Sequence, residues 1–202
     1  TLIAIFNLIA HALIIEGVIQ HRSGLSFIKS PLIRIGAAIV TVLVVSEFLG
    51  DTSQSLETIT AITAQPLILE EIKDWGINLL GILTKILVII MTIMIVLELL
   101  KSLGWIEHLL RFCRPLMRVF GLSKATTTMW LAATVFGLFY GGAVIVEEAN
   151  ERALSKDELE RLHIFTGVNH SMVEDPGLFA VLGLPAFWLW IPRLITAILM
   201  VH

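Results

Sequence analysis

Charged residues and cysteine are both scarce in this sequence, and each shortage excludes a class of protein. Only 15% of the 202 residues are charged, whereas a soluble domain carries about 25%. Cys113 is the single cysteine, which excludes an internal disulfide framework and a cysteine cluster for a metal. The sequence contains no Gly-x-x-x-x-Gly-Lys-Ser/Thr segment, so it has no phosphate-binding loop for ATP hydrolysis.

Apolar residues take the place of the missing charges. Hydrophobic types make up 56% of the chain, and its mean hydropathy is +0.89. Several uninterrupted apolar runs approach the roughly 20 residues that cross a bilayer as a helix. These runs do not alternate with a period of two, so helices rather than a closed barrel satisfy the backbone. The sequence therefore predicts an all-α, polytopic membrane protein whose first partner is the lipid bilayer.

Hydrophobic segments predict five or six transmembrane crossings and one helix at the membrane surface. The candidate crossings lie at about residues 1–20, 31–49, 76–100, 125–146, 162–182 and 186–201. Between the third and fourth, residues 101–120 are amphipathic and basic, with Trp105, Phe112 and Phe120 on the apolar side, which is typical of an interfacial helix. Gly137 and the pair Gly141–Gly142 predict a break or a close helix contact in the fourth segment.

The distribution of charge predicts an orientation. Residues 21–34 and 101–124 are rich in Lys and Arg, whereas residues 50–74 and 147–161 are rich in acids. Because short basic loops stay in the cytoplasm, both basic loops are predicted inside and both termini of the chain outside. This places a multi-pass protein in the bacterial inner membrane. If the fourth segment is re-entrant and leaves the membrane on the side where it entered, the orientation of every later segment is reversed.

Two segments, at the two ends of the chain, resemble each other. In each one a histidine is followed four or five residues later by an acid: His11 by Glu16, and His170 by Glu174 and Asp175. An apolar span with Pro and Arg near its start follows in both cases. We interpret this as an internal repeat, which is frequent in transporters. The charges predict parallel copies, whereas a re-entrant fourth segment predicts inverted ones.

The second of these segments is the sharpest candidate site. His170 and Glu174 would share one face of a helix, with Asp175 and Asn169 beside them and Pro176 disrupting the helix. Ionisable groups at membrane depth usually line a cavity or a path, so we predict that these residues bind a solute. The alternative is a polar group that fixes helix packing.

Four further residues complete the predicted solute site: His11, Glu16, Glu147 and Glu148. For each of them a structural role is an equal alternative, since Glu16 lies toward the end of its span and the glutamate pair ends the Gly-rich segment. The His–acid groups suit a divalent metal, but no His-x-x-x-His pair occurs, so the metal stays undecided. We predict no cofactor, no nucleic-acid binding and, for want of a nucleophile–base arrangement, no enzyme.

The run from Phe136 to Gly183 resembles the Gate domain, also called the nucleoside recognition domain. Related segments occur in concentrative nucleoside transporters, in the membrane part of ferrous-iron transporters, and in spore maturation proteins A and B. The residues that carry the resemblance are Gly141–Gly142, Glu147–Glu148, His170 and Glu174–Asp175. The resemblance implies a membrane protein of transport type, built from repeated helical units.

Together these features predict three regions and one leading function. Residues 1–50 would be a partial first repeat with two spans, residues 51–75 a polar extracytoplasmic loop, and residues 76–202 a Gate-like membrane domain. Because the chain starts inside an apolar run, we expect further residues before it. The predicted function is proton-coupled transport of a small polar or ionic solute by a homo-oligomer. The alternative is a non-transporting scaffold or partner subunit.

Overall fold

The fold is all-α, as the composition predicts. The computed structural model describes residues 1–50 and 68–202, and no strand occurs among them. The polar loop was predicted over residues 51–75. Residues 51–67 lie outside the described residues, whereas residues 68–75 are helical and belong to α4. A 3₁₀ turn occupies Lys124–Thr126. The helices in chain order are α1 (Leu2–Ala10), α2 (Leu13–Arg22), α3 (Lys29–Leu49), α4 (Ile68–Ser102), α5 (Trp105–Cys113), α6 (Leu116–Val119), α7 (Thr127–Val135), α8 (Gly137–Glu151), α9 (Lys156–Asn169), α10 (Glu174–Val181) and α11 (Ala186–Val201).

Three helical stretches of the described chain are long and apolar enough to cross a membrane. They are Leu2–Arg22, which contains both α1 and α2, then Lys29–Leu49, and Ile72–Ser102 within α4. They coincide with the first three predicted spans. Helix α11 is apolar but shorter, at Ala186–Val201. No residue of the α4 window is buried by the rest of the protein, which suits a helix surrounded by lipid.

The segment after α4 forms the predicted amphipathic helix. Helix α5 exposes Trp105 and Phe112, at 57% and 70% of their surface, while Cys113 at its end is buried. Helix α6 continues this pattern, with Met117 fully buried. The burial of Cys113 agrees with a packing role for the thiol, and the same burial raises its pKa.

The fourth hydrophobic segment folds back on itself. Helix α7 has nine residues, about 14 Å of helix, which is too short to cross a bilayer. The chain turns at Gly137, whose φ of +75° suits glycine. Gly141 then lies so close to the backbone of Ala133 that no Cβ fits between α7 and α8. The single crossing predicted at 125–146 is therefore wrong, because its glycines form a hairpin.

Helices α1 and α9 start at opposite ends of α3. The first residues of α1 share a cavity with Ser46, Glu47 and Leu49 at the end of α3. Near the start of α9, Glu160 pairs with Lys29 at the beginning of α3. The parallel arrangement predicted from charge is therefore wrong. That prediction counted a crossing at 125–146, and removing one crossing reverses the direction of everything that follows.

Helix α9 begins with a capping box formed by Ser155 and Glu158. The Ser155 hydroxyl accepts a hydrogen bond from the Glu158 backbone N–H at 3.2 Å. The Glu158 carboxylate accepts one from the Ser155 N–H at 3.0 Å. These bonds satisfy donors that every helix N-terminus leaves unpaired. They fix the direction in which α9 runs toward the centre of the molecule.

The centre is formed where α1, α3, α9 and α11 pack together. Its apolar contacts come from side chains that are almost fully buried, among them Ile5, Ile9, Ala38, Phe165 and Ala197. Two of the largest fully buried side chains are charged, however: Arg34 on α3 and Arg193 on α11. A buried charge needs hydrogen-bonding partners, and the partners of both arginines lie in the candidate site.

Candidate functional site

Both predicted histidines lie where a helix stops. Helix α1 ends at Ala10, and His11 is extended, with φ −89° and ψ 167°. Helix α9 ends at Asn169, and His170 has nearly the same conformation, with φ −83° and ψ 171°. In each case the next residue, Ala12 or Ser171, is in the left-handed region, at φ +55° and +47°. The first membrane-length stretch is thus interrupted near its middle.

The predicted helical pairing of His170 with Glu174 is wrong. His170 lies outside any helix, and Glu174 is the first residue of α10. Pro176 does not break that helix, because it lies in the first turn, where its missing N–H removes no helical hydrogen bond. The Glu174 carboxylate lies beside Gly137 at the α7–α8 turn, where a Cβ would stand 3.5 Å from Oε2.

The structure brings His11, His170 and Asp175 together. The Nε2 atoms of the two histidines are 3.2 Å apart, and the ring centroids are 4.7 Å apart. The distance from His11 Nε2 to Asp175 Oδ2 is 3.3 Å. All three atoms lie within 4.8 Å of one another. We call these three residues the His–His–Asp cluster; all of them belong to the site predicted from the sequence.

The other nitrogen of each ring binds a backbone carbonyl one helical turn earlier. His11 Nδ1 is 2.9 Å from the carbonyl oxygen of Asn7. His170 Nδ1 is 3.0 Å from that of Thr166 and 3.2 Å from that of Gly167. A carbonyl only accepts hydrogen bonds, so each Nδ1 carries the proton. In the neutral rings both Nε2 atoms therefore present lone pairs to the centre of the cluster.

Two arginines hold the broken helix ends in the same way. Arg34 donates from Nε to the Ile9 carbonyl and from a terminal nitrogen to the His11 carbonyl, both at 2.9 Å. Arg193 donates likewise to the Val168 and His170 carbonyls, at 3.1 and 3.0 Å. These bonds satisfy carbonyls that the helix ends leave free.

Sequence reasoning gave neither arginine this role. In the sequence, Arg34 and Arg193 stand out only as the arginines near the starts of the two repeated spans. The available signal was an arginine inside an apolar span, which requires a polar partner at membrane depth.

Glu16 lies next to the cluster but is already paired. Its side chain is 2% exposed and forms an ion pair with the fully buried Arg34. On the other side it abuts Gly167, where a Cβ would collide with the carboxylate. Glu16 therefore anchors α2 to α3, and its carboxylate does not join the His–His–Asp cluster.

Three more predicted residues are not members of the His–His–Asp cluster. Asn169 is fully buried, and its side-chain amide has no hydrogen-bond partner in the described part of the chain. Glu147 and Glu148 lie near the C-terminal end of helix α8, where Glu148 pairs with Arg152 at 3.2 Å. Partial burial raises the pKa of Glu148.

A cavity of about 340 Å³ opens onto one side of the cluster. His11 and Asp175 form part of its wall together with Asn7, Ile86 of α4 and Phe179 of α10. His170 lies behind them and is 1% exposed. The cluster is therefore open to this cavity at His11 and Asp175, while the buried His170 forms its far side.

Comparison with known proteins supports a membrane protein but gives no activity. No protein-family profile matches the chain, and no solved structure matches it. The chain is 27% identical over 206 residues to the "uncharacterized membrane protein YvoD" of Bacillus subtilis (strain 168), an alignment that covers 98% of this chain and 65% of that protein. This chain thus spans less than two thirds of its relative's length. The relative and the three membrane-length helices agree that the chain is a membrane protein.

Proposed function

We propose that this chain is the core of a multi-pass transport protein of the bacterial inner membrane that moves a small polar or ionic solute. The observation that carries the proposal is the meeting of two interrupted helices, from opposite ends of α3, at a cluster of ionisable groups beside a cavity. Helices interrupted near the middle of the membrane are where secondary transporters bind their solutes. Ionisable groups at that depth are costly unless they serve such a site.

We further propose that α1–α3 and α9–α11 are inverted copies of one unit. His11 and His170 are 159 residues apart, and Arg34 and Arg193 have the same separation and the same two carbonyl contacts relative to them. The opposite directions of α1 and α9 agree with inversion. Inverted repeats allow a central site to open to one side of the membrane and then to the other.

Within this proposal the His–His–Asp cluster is the solute site, and Asn7 and Glu174 lie at its edges. The cluster also has the chemistry for proton coupling, because imidazole and carboxylate groups exchange protons in the physiological range when their surroundings change. Membership in the Gate family remains part of the proposal; it is supported by the Gly-rich hairpin and the His–acid group rather than by a family match.

The test is flux through proteoliposomes that contain the purified chain. Uptake of radiolabelled uridine, uptake of radioactive Co²⁺ and proton movement reported by an internal pH dye cover an organic solute, a metal and the coupling ion. We expect His170→Ala combined with Glu174→Gln to abolish whichever flux the wild type shows. The matched control is Glu107→Gln with His108→Ala, an exposed His–Glu pair on α5. Undiminished flux in the first variant would refute the site.

A membrane scaffold is the second candidate, and one observation favours it. Three of the buried charged residues have a structural role. Arg34 and Arg193 bind the carbonyls of helix ends, and Glu16 forms an ion pair that joins α2 to α3. If the whole polar centre had that purpose, the same double substitution would lower stability in detergent or the yield of a complex. No member of the solute panel would then move in the wild type.

A further inference from the structure

We propose that His11, His170 and Asp175 bind a divalent transition-metal ion. The inference rests on the proposed function in one respect, namely that the ion would occupy the solute site. The first argument is the lone-pair geometry of the cluster. Two Nε2 atoms and a carboxylate oxygen face one another at 3.2 and 3.3 Å. Each ring proton is on Nδ1, where it is donated to a backbone carbonyl, so neither Nε2 atom carries a proton. The two Nε2 atoms and the Asp175 oxygen are therefore all acceptors, and they repel one another until a cation lies among them.

The distances match the size of such an ion. Bonds of about 2.0–2.2 Å from Zn²⁺ to nitrogen and oxygen hold neighbouring tetrahedral ligands roughly 3.3 Å apart. The His11–His170 and His11–Asp175 separations already have this value. The remaining pair, His170 and Asp175, lies within 4.8 Å, so these two ligand atoms must approach each other slightly when an ion binds.

The ligand types select the class of ion. Two imidazole nitrogens and one carboxylate favour Zn²⁺, Co²⁺, Ni²⁺ or Fe²⁺ over Ca²⁺ and Mg²⁺, which prefer sites made entirely of oxygen. Three protein ligands leave a coordination position free, and the cavity wall formed by His11 and Asp175 provides access to it.

The contacts behind the ligands have the form that metal sites need. Metal-binding histidines usually donate their other N–H to a carbonyl or carboxylate, which fixes the tautomer and the ring orientation. Both histidines do so here, with Asn7 and Thr166 as the acceptors. Arg34 and Arg193 then fix the His11 and His170 backbone carbonyls. The two nitrogen ligands are therefore held in place from two sides.

The direct test is a Co²⁺ titration of the full chain, purified in detergent without a polyhistidine tag and stripped with a chelator. We expect one Co²⁺ per chain, a visible d–d absorption band, and competition by Zn²⁺ but not by Mg²⁺. His11→Ala, His170→Ala and Asp175→Asn should each weaken binding by about 100-fold, whereas His21→Ala, an exposed histidine on α2, should not. No band in the wild type, or equal binding in all variants, would overturn the proposal.

A gain of function guards against variants that fail to fold. On a Cys113→Ser background, His11→Cys places a soft thiolate in the same position, and soft ligands shift preference toward soft ions. We expect the Co²⁺ complex to acquire a thiolate charge-transfer band and Cd²⁺ to displace Co²⁺ more readily than in the wild type. Absence of both changes in a folded His11→Cys protein would show that residue 11 is not a ligand.

Flux measured beside binding separates this inference from the proposed function. Co²⁺ bound by the cluster but not taken up into proteoliposomes would support the metal site and overturn transport of that ion. Proton or uridine flux that depends on the cluster, without any Co²⁺ binding, would support the proposed transport function and overturn the metal site. In that case a shared proton, rather than a metal, would join the two histidines.

Discussion

The α1–α3 unit and the α9–α11 unit hold their histidines alike but use their acids differently. Glu16 and Asp175 each lie five residues after the histidine of their unit. Glu16 pairs with Arg34 of its own unit. Asp175 instead faces His11 of the other unit, 3.3 Å away, and Arg193 keeps one terminal nitrogen without a hydrogen bond in the described part of the chain. The same acid position thus anchors one unit and supplies a ligand in the other.

The largest expected effect comes from exchanging each acid for its amide. Glu16→Gln leaves the Arg34 charge buried without its partner, which costs about 3–5 kcal/mol when a buried pair is broken. Asp175→Asn removes a carboxylate that is 21% exposed and pairs with His11 rather than with a buried arginine, so we expect a loss of no more than about 1 kcal/mol. Unfolding in mixed detergent micelles, followed by circular dichroism, measures both free energies.

In Co²⁺ binding, unlike in stability, Asp175→Asn should have a larger effect than Glu16→Gln. Asp175→Asn removes a proposed ligand and should weaken Co²⁺ binding as strongly as the histidine variants do, whereas folded Glu16→Gln protein should still bind. Pairing Glu16→Gln with Arg34→Met removes both charges and should recover part of the lost stability. If the two acid variants behave alike in both assays, the division of roles between the units is wrong.

Sequence patterns predicted the helices and the cluster residues of the two units better than they predicted how these helices are arranged in space. Apolar run lengths located α3 and α11. The His–acid spacing identified all three members of the cluster. The hairpin at Gly137 was only one alternative, because a close helix contact and a break give the same glycine pattern. Arg34 was missed as a site residue because the groups that hold it at the histidines are the backbone carbonyls of Ile9 and His11, and backbone carbonyls leave no signal in a sequence.

A smaller effect is expected where α9 begins. No side chain caps α3 at Ile28, whereas Ser155 caps α9. Ser155→Ala should destabilise the protein by about 1 kcal/mol. Hydrogen bonds from Ser123 and Ser155 lower the pKa of Glu158. Its carboxylate therefore stabilises the fold above the unfolded pKa, and that contribution is lost as the pH falls through the folded pKa.

Thermal unfolding at neutral pH, and at acid pH below the ordinary glutamate pKa of about 4.3, checks this prediction. The stability difference between wild type and Ser155→Ala should be largest at neutral pH and shrink in acid. Glu160→Gln, which affects an exposed partner of Lys29 on the same helix, serves as the control and should show a smaller change. A difference that grows in acid would contradict the capping account.

The smallest effect is expected at the residue after each histidine, where the two units are most alike. Ala12 and Ser171 adopt positive φ values of 55° and 47°, a conformation that costs a non-glycine residue about 1–2 kcal/mol. Glycine removes this strain but loses about 0.5–1 kcal/mol of backbone entropy. Ala12→Gly should therefore stabilise the protein by roughly 0.5 kcal/mol, and Ser171→Gly should gain less because its buried side chain also packs beside Gly137. Ala10→Gly, inside α1, is the matched control and should destabilise instead. Equal losses at all three positions in the same unfolding assay would mean that the left-handed turns are not the shared feature that places both histidines at the centre.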